Sequence, residues 1–251
     1  SRGLGDVYKR QVLECRRILE SELDELLRLH GLLPDRKISV PFDRQRTRSV
    51  IEEALNRESG DYAEARRRYL KHAAFTLLNR FLALRVSEAT GLIKETVLTR
   101  PEYGDRSRRE RDLADADPNL AVQPERLAHE ALREAFAEME EQIPILFRST
   151  DPYALLLPRL PAYRELRRVL EEVPERLWNE YETLGWAYQF FNSEEREEIR
   201  RRLRRNPKPD DIPPINQFYT VGWIVKFLVH NTLGRLWLER HPGSSLRHEL
   251  D

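Results

Sequence analysis

The run Tyr69-Leu70-Lys71-His72-Ala73-Ala74-Phe75-Thr76-Leu77-Leu78-Asn79-Arg80-Phe81-Leu82-Ala83-Leu84-Arg85-Val86-Ser87-Glu88-Ala89-Thr90-Gly91 decides how this chain folds. Tyr69, Ala73, Leu77, Phe81 and Leu84 recur at three- and four-residue spacing on one stripe, with Ala74, Leu78 and Leu82 beside it. So wide an apolar face belongs to a central helix packed on several neighbours. The helix is expected from Asp61 or Tyr62 to about Thr90, because Asp61 offers an N-cap and Gly91 a stop. Asn79, Arg80 and Glu88 interrupt the apolar positions. Burial there would demand hydrogen-bonded partners. The simpler expectation puts them at the edge of the stripe, with their polar ends in water.

Toward the N-terminus, Val12, Cys15, Ile18, Leu19, Leu23, Leu26 and Leu27 repeat the helical spacing until Gly31. This predicts an amphipathic helix, preceded by a disordered or non-native leader over residues 1–11, which show neither helical nor strand period. Pro34 and Pro41 bracket a loop, and a shorter helix is expected over residues 47–57 before Ser59-Gly60. Beyond the central helix, residues 99–122 are polar and charged, with Pro101, Gly104, Pro118 and a basic string of Arg106, Arg108, Arg109 and Arg111. A long loop is the expectation. Helical patterns resume over 123–147, with Pro144 bending or ending the run, and again over 151–157, 162–173, 177–191 and 193–205. A proline-rich break follows at 206–214, and Thr220 is placed to cap a last helix that ends near Arg240. No alternating strand stands out. The expectation is an all-α, multi-helix fold, organised as leader 1–11, helical domain 12–205, linker 206–214, a further helical segment 215–241 and a tail 242–251.

The composition narrows function. Lys and Arg total 43 and so do Asp and Glu, giving a formal charge of zero, yet 34% of residues are charged; an ordinary domain has about 25%. Any basic surface must be local. Mean hydropathy is -0.68 and no apolar run approaches membrane-spanning length, so no membrane partner is expected and the cytoplasm is the expected address. The single cysteine, Cys15, reads as a buried structural thiol. With only 10 glycines and no Gly-rich loop after an apolar strand, the chain by itself cannot house phosphate-loop or dinucleotide chemistry. Its six histidines include no pair at helical metal-ligand spacing, so no metal site is expected. No nucleophile elbow occurs.

Two features could carry binding. Arg200, Arg201, Arg204 and Arg205 share a helical face, which would suit nucleic-acid phosphates or simply be a solvated surface. The block Trp186, Tyr188, Phe190 and Phe191 could stack on bases, although core packing is the commoner use of such residues.

The stretches Leu184-Gly185-Trp186-Ala187-Tyr188-Gln189-Phe190-Phe191, Gln217-Phe218-Tyr219-Thr220-Val221-Gly222-Trp223-Ile224-Val225 and Asn231-Thr232-Leu233-Gly234-Arg235-Leu236-Trp237 resemble the N-terminal part of the PglX family. These are adenine-specific DNA methyltransferases of BREX phage-defence systems. The segment from Ala74 to Glu88 is similar to the family's central helix, and the resemblance covers roughly residues 12–241, its earlier part extending to type IIG and type I methyltransferase subunits. It implies an N-terminal fragment of an S-adenosyl-L-methionine-dependent, site-specific DNA adenine N6-methyltransferase from a restriction-modification or phage-defence system. Double-stranded DNA and other phage-defence proteins are the implied partners. In the family, a Phe-Tyr-Thr-Pro turn opening a helix lies against the methionine end of the cofactor, which implies cofactor contacts for Phe218, Tyr219 and Thr220; here Val221 replaces the proline. The Gly-rich cofactor loop, Asp-Pro-x-x-Gly-Ser-Gly, and the Asn-Pro-Pro-Tyr motif that grips the flipped adenine do not occur in the chain. No catalytic residue is therefore assigned. The resemblance makes 215–241 the first helix of the methyltransferase domain, and the chain is expected to stop before that domain's α/β Rossmann-like catalytic part and to be inactive alone. The alternative reading is a non-catalytic helical module that binds a protein partner.

Overall fold

The computed structural model describes residues 2–180, 183–202, 212–216, 220 and 222–250. It is all-α: among these residues there is no strand, only isolated bridges between Leu32 and Lys37 and between Arg100 and Arg106. Two compact units divide the chain, Ser1–Asn179 and Glu180–Asp251.

In the first unit, α1 (Arg2–Leu29) and α2 (Phe42–Glu58) pack on the long central helix α3 (Tyr62–Ala89). Asp61 caps α3, its side chain accepting the Glu64 N–H at 2.8 Å. The predicted stripe is the buried one: Tyr69, Ala73, Leu77, Phe81 and Leu84 are each 1% exposed or less. Helices α1 and α3 stop in the same way, through a left-handed glycine. At Gly31 (φ 72°) the next N–H, of Leu32, reaches back to the Leu27 carbonyl at 2.9 Å; at Gly91 (φ 72°) that of Leu92 reaches Ser87 at 2.8 Å. A side chain at Gly31 would also run into the Ile38 carbonyl, so no other residue fits this corner.

Several boundaries differ from the expected ones. The helical backbone of α1 includes residues 2–11, assigned above to a leader, because no proline interrupts them and extending a formed helix costs little. Helix α2 starts at Phe42, five residues earlier than its apolar pattern, directly after Pro41. The expected long loop 99–122 contains a 3-10 turn (Pro101–Tyr103), α4 (Arg108–Ala116) and α5 (Pro118–Ala121). A capping box starts α4: Ser107 Oγ accepts the Glu110 N–H, and Glu110 accepts the Ser107 N–H at 2.7 Å.

The rest of the unit is α6 (Pro124–Gln142), α7 (Pro144–Phe147), a 3-10 turn (Pro152–Ala154), α8 (Leu160–Glu171) and α9 (Glu175–Trp178). Pro144 does divide the 123–147 run. Around Phe81 the rings of Phe136 and Tyr163 lie 6.4 and 5.6 Å away, and Phe147 continues the cluster from Phe136 at 5.5 Å. Cys15 is 1% exposed, and burial, with Glu14 nearby, pushes its thiol pKa well up.

The second unit holds α10 (Thr183–Phe191), α11 (Ser193–Arg202), α12 (Ile212–Asn216), α13 (Gly222–Val229), α14 (Arg235–Arg240) and α15 (Arg247–Leu250). The run expected over 177–191 is thus split between α9 and α10. The division into units falls after Asn179, ahead of the expected linker, most of which lies outside the described residues. A π-helical segment, His230–Gly234, joins α13 to α14. Asn231 Nδ2 donates to the Phe227 carbonyl and Thr232 Oγ1 to the Leu228 carbonyl, both at 2.7 Å, satisfying groups on the turn before the widening.

Candidate functional site

The residues that the sequence offered for cofactor or DNA binding all lie in the second unit. Thr220 is exposed, in irregular backbone two residues before α13, while Phe218 and Tyr219 lie outside the described residues. Arg200 and Arg201 are exposed on α11, whereas Arg204 and Arg205 lie outside the described residues. Arg201 stands 3.6 Å from Glu197 one turn back, a solvent-exposed pair of little energetic weight. Arg196, on the same helix, is 6% exposed and donates to the Gln189 carbonyl at 3.0 Å. Burial first, and then the charge of Arg200, lower its pKa. The aromatic block is mixed: Phe191 is buried, Tyr188 and Phe190 are half-buried, and the Trp186 side chain lies outside the described ones.

Downstream of Thr220, the helix from Gly222 to Arg240 exposes large apolar side chains around its whole circumference. Trp223 is 71% exposed, Phe227 60% and Leu233 67%, with Val225, Leu228, Val229, Leu236 and Trp237 also exposed. A run of this kind is normally either buried or bound.

In the first unit, charged side chains serve architecture. Arg80 and Glu88, expected at the edge of the stripe, are inside it. Arg80 donates to the carbonyls of Leu146 and Arg148 at 2.9 Å each, with its guanidinium against Phe136 and Phe147; desolvation lowers its pKa. Glu88 accepts from Arg85 at 2.7 Å and from the backbone N–H groups of Thr96 and Val97 at 2.6 Å. Arg85 continues to Glu175 at 2.8 Å and lies over the Trp178 ring, closing α9 onto α3. From the other side, Arg167 of α8 donates to the Thr96 carbonyl and the Tyr163 hydroxyl at 2.9 Å and pairs with Glu110. Arg109 donates to Thr96 Oγ1 at 3.0 Å. Residues 95–98, with no regular structure of their own, are thereby held by α3, α4 and α8. Sequence periodicity missed Arg85, Arg109 and Arg167; the Ser107-x-x-Glu110 signature was the legible clue.

Among the described residues no group of histidine, cysteine or carboxylate side chains could hold a metal ion, and no helix is long and apolar enough to cross a membrane.

The chain is thus all-α, with its first unit knit by arginine–carboxylate pairs and an apolar helix left exposed from Gly222 to Arg240. It is related to the adenine-specific methyltransferases PglX and BrxX. In an alignment of 205 positions that covers 72% of the chain, it is 30% identical to "Adenine-specific methyltransferase BrxX" of Escherichia coli O9:H4 (strain HS). In an alignment of 107 positions that covers 40% of the chain, it is 31% identical to "Adenine-specific methyltransferase PglX" of Lacticaseibacillus casei (strain Zhang). These matches span only 16% and 9% of the two relatives. No family model matches the chain.

Proposed function

We propose that this chain is the helical N-terminal region of an S-adenosyl-L-methionine-dependent, site-specific DNA adenine N6-methyltransferase of a phage-defence or restriction-modification system, and that it does not catalyse by itself. The observation that carries the reading is the similarity, over 205 aligned positions, to BrxX, a much longer adenine-specific methyltransferase. The missing Gly-rich loop and Asn-Pro-Pro-Tyr motif support the second half, because cofactor grip and adenine capture would then come from elsewhere in the parent protein. In that protein Thr220, with Phe218 and Tyr219, would face the methionine end of the cofactor. Arg200, Arg201, Arg204 and Arg205 would contact DNA phosphates without reading bases.

The test compares the purified 251-residue chain with the product of the longest reading frame that contains it. Labelled methyl groups should pass from S-adenosyl-L-methionine to duplex DNA only with the longer protein. Incorporation by the short chain above a no-protein control would place the active site within it and overturn the reading. The arginine face is tested separately by measuring duplex affinity across a salt series for Arg201→Ala combined with Arg205→Ala. Each lost phosphate contact should reduce the slope of log affinity against log salt by about 0.9, equally for all sequences.

The exposed apolar helix also favours a second reading, a non-catalytic helical module that binds a protein partner through it. A continuation lacking both motifs downstream of Asp251 would decide for that alternative.

A further inference from the structure

The first unit contains a cleft of about 550 Å³ where the 104–106 turn faces α8, with Thr99 on its wall. Four arginines line it: Arg106, Arg164, Arg167 and Arg168. Two of them are spoken for. Arg167 is paired with Glu110 at 2.9 Å, and Arg168 reaches Glu14 and Glu172 at 3.0 and 2.5 Å. The other two lack a carboxylate among the described residues. Arg106 donates to the neutral Ala121 carbonyl at 3.1 Å, and exposed Arg164 has no partner there at all. Moreover, Arg167 is 5% exposed and its Nε–H finds no acceptor, so the cleft wall also carries an unanswered buried donor.

The acidic groups do not cancel this. Glu171 is turned to Thr99, accepting its N–H at 2.8 Å and its hydroxyl at 2.7 Å. That leaves exposed Asp105, held at φ 56° in the turn, as the one carboxylate of the lining that neither a cation nor a hydrogen bond engages among the described residues. A guanidinium presents parallel donors that match two oxygens of a phosphate, and two such groups on one hollow select a polyanionic oxygen cluster over water.

We propose that this cleft binds the phosphate of a phosphate ester, with Arg164 and Arg106 as its cationic contacts and Asp105 as a group that limits its affinity. The cleft shares no residue with those proposed above to contact cofactor or DNA, and the inference does not depend on that reading. The same phosphate chemistry could come from a nucleic-acid backbone or from a small ester, and competition distinguishes the two.

Isothermal titration of the 251-residue chain with inorganic phosphate at constant ionic strength should give a saturable site, weakened roughly tenfold in Arg164→Gln, as for the loss of one charge-assisted hydrogen bond. Asp105→Asn should tighten it, since asparagine tolerates the left-handed backbone and removes the opposing charge. Because Asp105 and Arg164 are both exposed, circular dichroism should show both variants folded. A duplex oligonucleotide that displaces phosphate identifies a backbone phosphate as the occupant, whereas phosphate still bound in the presence of DNA identifies a small ester. No more binding of phosphate than of chloride, or unchanged binding in both variants, overturns the proposal.

Discussion

Glu88 shows what a single side chain does in this protein. Its carboxylate is 1% exposed, as is the side chain of Arg85 opposite, and it also takes the N–H groups of Thr96 and Val97. Two charges so deep add little net stability together, but removing one strands the other. Glu88→Ala is therefore expected to destabilise the first unit by about 3–5 kcal/mol in urea unfolding. Asp24 supplies a pH-dependent counterpart. Partial burial works to raise its pKa, but hydrogen bonds from Arg28 and Arg66 outweigh this and hold it below the ordinary value. Its folded pKa is thus depressed, so its contribution is present above the unfolded value of about 3.9 and is lost as pH falls through the folded one. Asp24→Asn should lower stability at neutral pH and flatten the stability profile below about pH 4. A profile parallel to that of the unsubstituted chain would show that the Arg66–Asp24 contact of 2.7 Å carries no linkage.

The contrast between α3 and the helix from Gly222 to Arg240 belongs to the element scale. Both are rich in large apolar residues, but α3 buries them under α1, α2 and the Phe81 cluster, while the later helix leaves Trp223, Phe227 and Leu233 mostly in water. Each large apolar side chain is worth roughly 1.5–3 kcal/mol when fully buried, and the later helix gains little of that. It is also interrupted by a π-helical segment at His230–Gly234. Amide hydrogen exchange should consequently be much faster over residues 222–240 than over residues 69–88. Equal protection would mean that the exposed residues are covered in solution.

At the scale of the molecule, the first unit has what independent folding requires. Its core is continuous along α3, and its irregular segment at 95–98 is tied down by side chains from α3, α4 and α8, all within residues 2–179. The chain expressed as residues 1–179 should unfold in one cooperative transition, with the near-ultraviolet signal of its buried aromatic cluster intact beforehand. A non-cooperative melt would mean that the core needs Glu180–Asp251.

Local chemistry was enough for the all-α class, the central helix with its Asp61 cap and buried stripe, the break at Pro144 and the burial of Cys15. Each depends on residues within a few turns of one another, and helical periodicity registers that directly. The resemblance to the PglX family was readable for the same reason, because contiguous stretches such as Leu184 to Phe191 carry it. The fate of the charged residues was not. Arg80 and Glu88 read as edge residues because their partners, Leu146, Arg148, Thr96 and Val97, lie outside their own helix and appear only once the chain has folded back. Ser107 and Glu110 start a helix inside a polar stretch whose composition resembles a loop, since a cap and tertiary ion pairs there replace the missing apolar stripe. Whether an arginine faces water or is buried against a carboxylate depends on where a distant acidic group ends up. Sequence spacing carries no record of that, so tertiary structure alone decided which arginines hold the fold and which, like Arg164, remain free to bind.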